Sequence, residues 1–195
     1  MMQETEPRQP AFNIPCVVRI VAIITILVHF LQLFSTPAQH NELIRYLAFI
    51  PARFSLSNVW QLEGFSLAVS PISYAFLHAD GYHLILNIFF LLAFGTAAAR
   101  RVSWPIFLIL YAAGAFISAF FWMAFNGEAA TPLVGSSGAL SAAAGALVRM
   151  SISPKLPFDP RYPIMPAKTA ILFGLFWIGI NLFFKNVEIG RIAIF

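Results

Sequence analysis

A short polar turn runs into a helix of small residues at positions 131–142, which read TPLVGSSGALSA. A serine at the start of such a helix lies among free backbone amides, at the positive end of the helix dipole, where an alkoxide or an oxyanion is stabilised. Ser137 is therefore a candidate nucleophile for acyl transfer. The alternative interpretation is that Ser136 or Ser137 only caps the helix and that the glycines permit close packing.

The composition places this helix in a membrane. Hydrophobic residues make up 59% of the 195 residues and charged residues only 10%, which is far from the balance of a soluble domain. Backbone amides in lipid are paired within helices, and the sequence lacks the ten-residue alternation of barrel strands. We therefore predict an all-α, polytopic transmembrane helical bundle over residues 16–195, after a polar cytoplasmic tail at 1–15. The single cysteine, Cys16, gives no disulfide framework and no metal cluster, so we predict no cofactor and no metal.

Uninterrupted apolar stretches predict five membrane helices, at residues 17–34, 82–99, 104–125, 137–150 and 167–184. A long outer segment, 35–81, separates the first two helices and acts either as a lid or connector or in admitting substrate. Within it, residues 41–49 are expected to form a short interfacial helix with Leu43, Leu47 and Phe49 facing the lipid headgroups. The chain turns apolar again at Ile192, which we interpret as the approach to a sixth helix.

The basic residues predict the orientation in the membrane. Eight of the 12 Lys and Arg residues fall on one side of the predicted spans, which makes that side and the N-terminus cytoplasmic. These eight are Arg8, Arg19, Arg100, Arg101, Arg149, Lys155, Arg161 and Lys168. We predict a multi-pass integral membrane protein, with a bacterial inner membrane as its expected location. Because the positive residues flank apolar spans, the net charge of +4 does not indicate a nucleic-acid partner.

Two polar side chains, His83 and Asn87, share one face of the second predicted helix. Such groups are costly inside a span and serve either a site or an interhelical hydrogen bond. Counting about 1.5 Å per residue from Arg100 and Arg149 puts Asn87 about 20 Å, Ser137 about 18 Å and His83 about 25 Å above the cytoplasmic boundary. The three side chains are therefore predicted to lie near one level, in a water-filled cavity open to the outer side.

Three segments together resemble the rhomboid intramembrane serine proteases: the GSSG turn at 135–138, HLILN at 83–87 and FLHADGYH at 76–83. The resemblance extends from about Ile50 to the C-terminus and implies a rhomboid-like bundle with an expected six helices. It implies that Ser137 is the nucleophile, that His83 and Asn87 bind the oxyanion with the Ser137 amide, and that the substrates are transmembrane segments of membrane proteins. His78 matches a family histidine without a catalytic role.

The sequence departs from the family pattern in two places. The outer segment lacks the Trp-Arg pair typical of the family, since Gln61 follows Trp60. The general base of rhomboids is a histidine in an Ala-His-x-x-Gly pattern on helix six, and this sequence stops before such a pattern. Neither the remaining histidines nor Lys185 is a good substitute, so we expect this chain as written to have little or no proteolytic activity.

A smooth face of small residues on the fourth predicted helix is spaced for close helix contact, with Gly114 on the third helix or the missing sixth helix as its partner. This face consists of Gly138, Ser141, Ala142 and Gly145. By resemblance, Phe176 and Trp177 line a lateral gate.

Three functions remain in competition. The first is a rhomboid endopeptidase, and the second is an inactive relative or fragment that binds membrane-protein clients. The third, an unrelated carrier or channel subunit, would have to explain the serine turn and the His-Asn pair as packing.

Overall fold

The computed structural model describes residues 13–152 and 165–192, with side chains for 13–152 and 165–182. This part of the chain is helical and contains no β-strand, as predicted. Its helices, in chain order, are α1 (Cys16–Phe34), α2 (Pro37–Leu47), α3 (Ser57–Ser73), α4 (Gly81–Ala99), α5 (Trp104–Phe125), α6 (Ser137–Ile152) and α7 (Ala167–Ile192). Five of them match the predicted membrane helices, and a π-helical turn, Leu91–Gly95, lies within α4.

Three of these helices, α1, α4 and α5, are long and apolar enough to cross a membrane. Their outward faces are apolar; Ile109 and Phe121 on α5, for example, are each 68% exposed. α6 is different, because its 16 residues extend only about 24 Å at 1.5 Å per residue. Since a hydrocarbon core is about 30 Å thick, α6 is too short to cross it.

The outer segment is mostly helical, where the sequence analysis expected a loop with one short helix. α2 begins at Pro37 because Thr36 and Gln39 form a capping box at its N-terminus. α3 was missed because its pattern is irregular: the backbone at Glu63 is non-helical (φ −134°), and Pro71 lies inside the helix. A short 3₁₀ helix, Pro51–Ser55, joins the two.

The expectation that Phe49 faces the headgroups is wrong. Its side chain is fully buried, and its ring packs against Phe54, Tyr74 and Phe120. The physical reason is an isolated antiparallel bridge between Phe49 and Leu133, which holds residue 49 beneath the chain that leads to α6. Only tertiary pairing fixes this position, because residue 49 lies beyond the end of α2.

The predicted end of the fifth membrane helix is also wrong. α7 continues to Ile192, so residues 185–192 extend the fifth helix, including most of the ending EIGRIAIF (188–195) that we interpreted as the approach to a sixth. Proline, which would stop it, is absent from residues 167–192. The predicted tail up to residue 12 and the basic residues Lys155 and Arg161 lie outside the described residues, as do the side chains of Lys185 and Arg191.

α5 packs tightly on the small-residue face of α6. A Cβ added to Gly114 would lie 2.4 Å from the Ala142 Cβ, and one added to Gly138 would lie 2.4 Å from the Ser118 Cβ. Gly114 therefore packs directly against the small-residue face of α6, as predicted. Gly145 is the exception, since an added Cβ would meet no described atom within 4 Å.

An ion-pair network joins the helices of the outer segment. Glu63, at the kink of α3, binds both Arg45 of α2 and Arg53 of the 3₁₀ helix, and Arg53 also donates to the Arg45 carbonyl. The Arg53 and Glu63 side chains are only 13% and 24% exposed. Partial burial reduces solvent screening, so this network contributes more than a surface ion pair.

Replacing Glu63 with glutamine is expected to lower the free energy of unfolding by about 1–2 kcal/mol, because Arg53 keeps its charge and loses its carboxylate partner. Detergent-solubilised protein unfolded with SDS gives the measurement. Glu42→Gln is the matched control, since Glu42 pairs with Arg45 at an exposed position; a loss as large as that for Glu63→Gln would contradict the assigned role of burial.

Candidate active site

The outer segment fixes the turn that carries the candidate nucleophile. Phe49 and Leu133 exchange two backbone hydrogen bonds of 3.3 and 2.8 Å, and the Gly135 amide donates to the Tyr74 carbonyl at 3.1 Å. Three residues after Phe49, the Ala52 amide donates to the carbonyl of Ala129. The segment therefore has a structural role as a clamp on the serine turn, in addition to any role as a lid or in admitting substrate.

Gly135 brings the turn into direct contact with His83. Its φ of +104° lies in the left-handed region, which favours glycine. A Cβ at this position would lie 2.6 Å from His83 Cε1 and 2.7 Å from His83 Nε2. The imidazole thus lies against the backbone of the turn, on a helix whose N-terminus is capped by Asp80 through the His83 amide at 2.7 Å.

Ser136, rather than Ser137, contacts Asn87. The Ser136 hydroxyl donates to Asn87 Oδ1 at 3.1 Å, and both residues are buried. Asn87 Nδ2 donates one hydrogen to the carbonyl of His83 at 2.9 Å, and an amide has a second hydrogen to offer. This contact agrees with the similar depths calculated for residues 87 and 137. From the sequence, Ser136 was expected only as a possible cap; its position next to Ser137, at nearly the same depth as Asn87, was the available signal.

Ser137 is the first residue of α6, and it is exposed. Its carbonyl accepts a hydrogen bond of 2.8 Å from the Ser141 hydroxyl, which in turn accepts one of 3.0 Å from Trp177 Nε1 on α7. The following residue, Gly138, lines a cavity of about 300 Å³ together with Ser141 and Ala142 of α6 and with residues of α5. Ser137 is therefore accessible at a helix N-terminus, while its neighbour Ser136 is held in the protein.

Of the two residues expected to line a lateral gate, Trp177 lies at the contact between α4 and α7. The Trp177 ring packs edge-on against Phe90 and Phe94, each at a centroid distance of 4.9 Å. Phe176 is 62% exposed. Trp177 therefore lies at this contact, whereas most of Phe176 points away from the protein.

Two further histidines lie behind His83. His78 is 1% exposed, and its ring centroid is 5.2 Å from that of His83 and 6.5 Å from that of His29 on α1. Burial, reinforced by His83 and His29, lowers the pKa of His78 to about 3, so its imidazole is neutral near pH 7. Among the described residues, no group of three or more His, Cys, Asp or Glu side chains is arranged to hold a metal ion.

The fold and the site together define a helical membrane protein in which a serine-bearing turn packs on the face of α4 that carries His83 and Asn87. The family model described as Rhomboid domain matches residues 66–193, about two thirds of the chain. The chain therefore belongs to the rhomboid family of intramembrane proteases. No curated protein matches it.

Proposed function

We propose that the protein is an intramembrane serine endopeptidase in which Ser137 is the nucleophile and His83 and Asn87 bind the oxyanion. The observation that carries this proposal is the docking of the GSSG turn on the face of α4: Gly135 contacts the His83 ring, and Ser136 binds Asn87. A capping role for the serines would not require a histidine and an amide at this place. The substrates are transmembrane segments of membrane proteins.

In the proposed reaction, the Ser137 hydroxyl attacks a peptide carbonyl, the C–N bond breaks and the amine fragment leaves with the proton taken from the serine. Water then hydrolyses the acyl-enzyme and releases the carboxylate fragment. The amides in the first turn of α6 lack intrahelical partners and lie at the positive end of the helix dipole, where the developing oxyanion is stabilised. The second Nδ2 hydrogen of Asn87 and the imidazole of His83 are the proposed side-chain donors. Each such donor contributes roughly 10²–10³ in rate.

The proposal needs a general base that takes the proton from Ser137. The chain has four histidines: His83 is assigned to the oxyanion, His78 and His29 lie behind it, and His40 is on α2. We therefore expect the 195-residue chain, tested by itself, to show little turnover. The family places a histidine-bearing helix next to α6, and the cavity between α5 and α6 is lined by Gly138, the residue that follows Ser137.

We further propose that the N-terminus is cytoplasmic and that the serine cavity opens to the opposite side, in a bacterial inner membrane. Supporting this, Arg100 and Arg101 follow α4, Arg149 lies in the last turn of α6, and Lys168 lies in the first turn of α7. These positions are at the same end of the alternating spans, and that end carries the positive charge expected of the cytoplasmic side.

Reconstituted protein and a single-span fluorescent reporter test the proposed chemistry. The chain alone is compared with the chain joined at its C-terminus to a helix that contains Ala-His-x-x-Gly. We expect the joined protein to cleave the reporter at least about 10³-fold faster, because loss of one member of the catalytic set costs about 10⁴–10⁶.

Ser137→Ala is expected to remove this activity. Ser151→Ala, near the other end of α6, is the matched control and is expected to retain it. Cleavage that survives Ser137→Ala would contradict the assignment of the nucleophile. Specific capture of the reporter without cleavage, by a correctly folded joined protein, would instead favour the client-binding alternative.

A further inference from the structure

A stripe of polar residues on α1 contains His29 and contacts His78. Thr25, His29 and Gln32 are spaced four and three residues apart, which places them on one face of the helix. Thr25 is 1% and Gln32 7% exposed, within a helix that is otherwise mainly apolar. Buried polar groups in a membrane helix are costly and are usually functional.

Within this stripe, the side chain of Gln32 binds the backbone of His78. Its Nε2 donates to the His78 carbonyl at 3.3 Å, and its Oε1 accepts from the His78 amide at 3.1 Å. The side-chain amide thus pairs with both backbone groups of one residue, 46 positions away in the chain. This pairing fixes the position of His78 against α1, where its ring meets His29 nearly at a right angle, at 81°.

The imidazoles of this pair have buried nitrogens without protein partners. His78 Nδ1 and Nε2 and His29 Nδ1 are all buried, and among the described residues none of them has a well-aligned hydrogen-bond partner. The Phe76 carbonyl is close enough to act on His78, but it satisfies at most the one N–H of a neutral imidazole. The other nitrogen is an acceptor that needs an N–H or O–H donor, and buried acceptors are rarely left unpaired.

We propose that an ordered water molecule lies between α1 and His78 and bridges the His29 and His78 imidazoles. Water can donate to one ring nitrogen and accept from another, with hydrogen bonds of about 2.8 Å on each side. A ring separation of 6.5 Å suits such a bridge. A metal ion is a poorer fit, because Zn²⁺ requires three or four ligands and the described residues place no group of three donors together.

The proposed water site lies close to the serine turn, where the proposed reaction consumes water. His83 packs on His78 on one side and contacts Gly135 on the other. The bound water is therefore separated from the serine turn by one imidazole, next to a site whose proposed reaction consumes water. This use rests on the proposed proteolysis, whereas the water site itself does not.

The test is His78→Phe, which keeps a ring of similar size and removes both nitrogens. If water bridges the imidazoles, the variant leaves the water and His29 without a partner, and the melting temperature falls by about 3–8 °C. Without a bridging water, His78→Phe loses at most the contact with the Phe76 carbonyl, and an unchanged or higher melting temperature would overturn the proposal. His40→Phe makes the same chemical change on α2 and is expected to have little effect.

Two measurements on the unsubstituted protein keep the proposal testable if His78→Phe does not fold. In ¹⁵N NMR, the unprotonated ring nitrogen of His78 is expected to show the upfield shift of a hydrogen-bonded acceptor, and the shift of a free nitrogen would contradict the proposal. A rise in melting temperature with added Zn²⁺ would identify a metal site instead. None of these measurements needs turnover, so their outcome is independent of the reporter assay.

Discussion

Replacing Gly135 with alanine is expected to lower the free energy of unfolding by about 2–4 kcal/mol and to displace His83 from the serine turn. Two causes act together. A φ of +104° is strained for any residue with a Cβ, and the new Cβ would lie 2.6 Å from His83 Cε1. The ring has little room to retreat, because it is packed on His78. SDS-induced unfolding in mixed micelles measures the loss of stability.

The matched control for Gly135→Ala is Gly81→Ala. Gly81 begins α4, the helix that carries His83, and an added Cβ there would meet no described atom within 4 Å. Its replacement is expected to be neutral or slightly stabilising, since alanine is the better helix former. In the His-bearing joined protein, Gly135→Ala is also expected to reduce reporter cleavage, and Gly81→Ala to leave it unchanged. Equal stability losses in the two variants would rule out the His83 contact as the cause.

Replacing Gly114 with alanine is expected to separate α5 from α6, at a cost of about 2–3 kcal/mol. The added Cβ would lie 2.4 Å from the Ala142 Cβ and 3.1 Å from two backbone atoms, Ala139 Cα and Gly138 O. Backbone atoms cannot rotate away as the end of a long side chain can, so the helices themselves must move. Unfolding in SDS gives the loss of stability, as for Gly135→Ala.

Gly145→Ala, on the facing helix α6, is expected to change the free energy of unfolding in the opposite direction. An added Cβ at Gly145 meets no described atom within 4 Å, and alanine is favoured over glycine in a helix interior by about 0.5–1 kcal/mol. We therefore expect a small gain in stability from Gly145→Ala and a clear loss from Gly114→Ala. A gain in both variants would mean that the close contact between α5 and α6 does not form in the membrane protein.

Much of the fold was predictable from local sequence patterns. A long apolar run forms a helix wherever it is placed in lipid, and the one proline of α5, Pro105, lies in the first turn, where it is tolerated; the predicted start and end of α5 therefore agree with the structure. α3 was not predictable in this way, because its helix contains a kink at Glu63 and a proline at position 71. Contacts across the chain stabilise it: the Ser66 hydroxyl donates to carbonyls of α2, and Glu63 pairs with two arginines.

For the candidate site, the depth calculation placed Asn87 and the serine turn at nearly the same level, and the contact of 3.1 Å between Ser136 and Asn87 agrees with this. The calculation could not distinguish the two serines, because rise along a helix axis gives a height and not a direction. Which serine points into the protein depends on how the turn enters α6. The assignment of Ser137 as nucleophile stays a prediction, and its exposed position is compatible with it.

The sequence by itself determined that the protein is a helical membrane protein of the rhomboid family, because hydropathy and short motifs are properties of neighbouring residues. Only the tertiary structure decided that Phe49 is buried, that the outer segment clamps the serine turn, and that Ser136 binds Asn87. These features depend on contacts between residues about 50 or more positions apart. A local pattern specifies the faces that such residues present, and packing in three dimensions selects which faces meet.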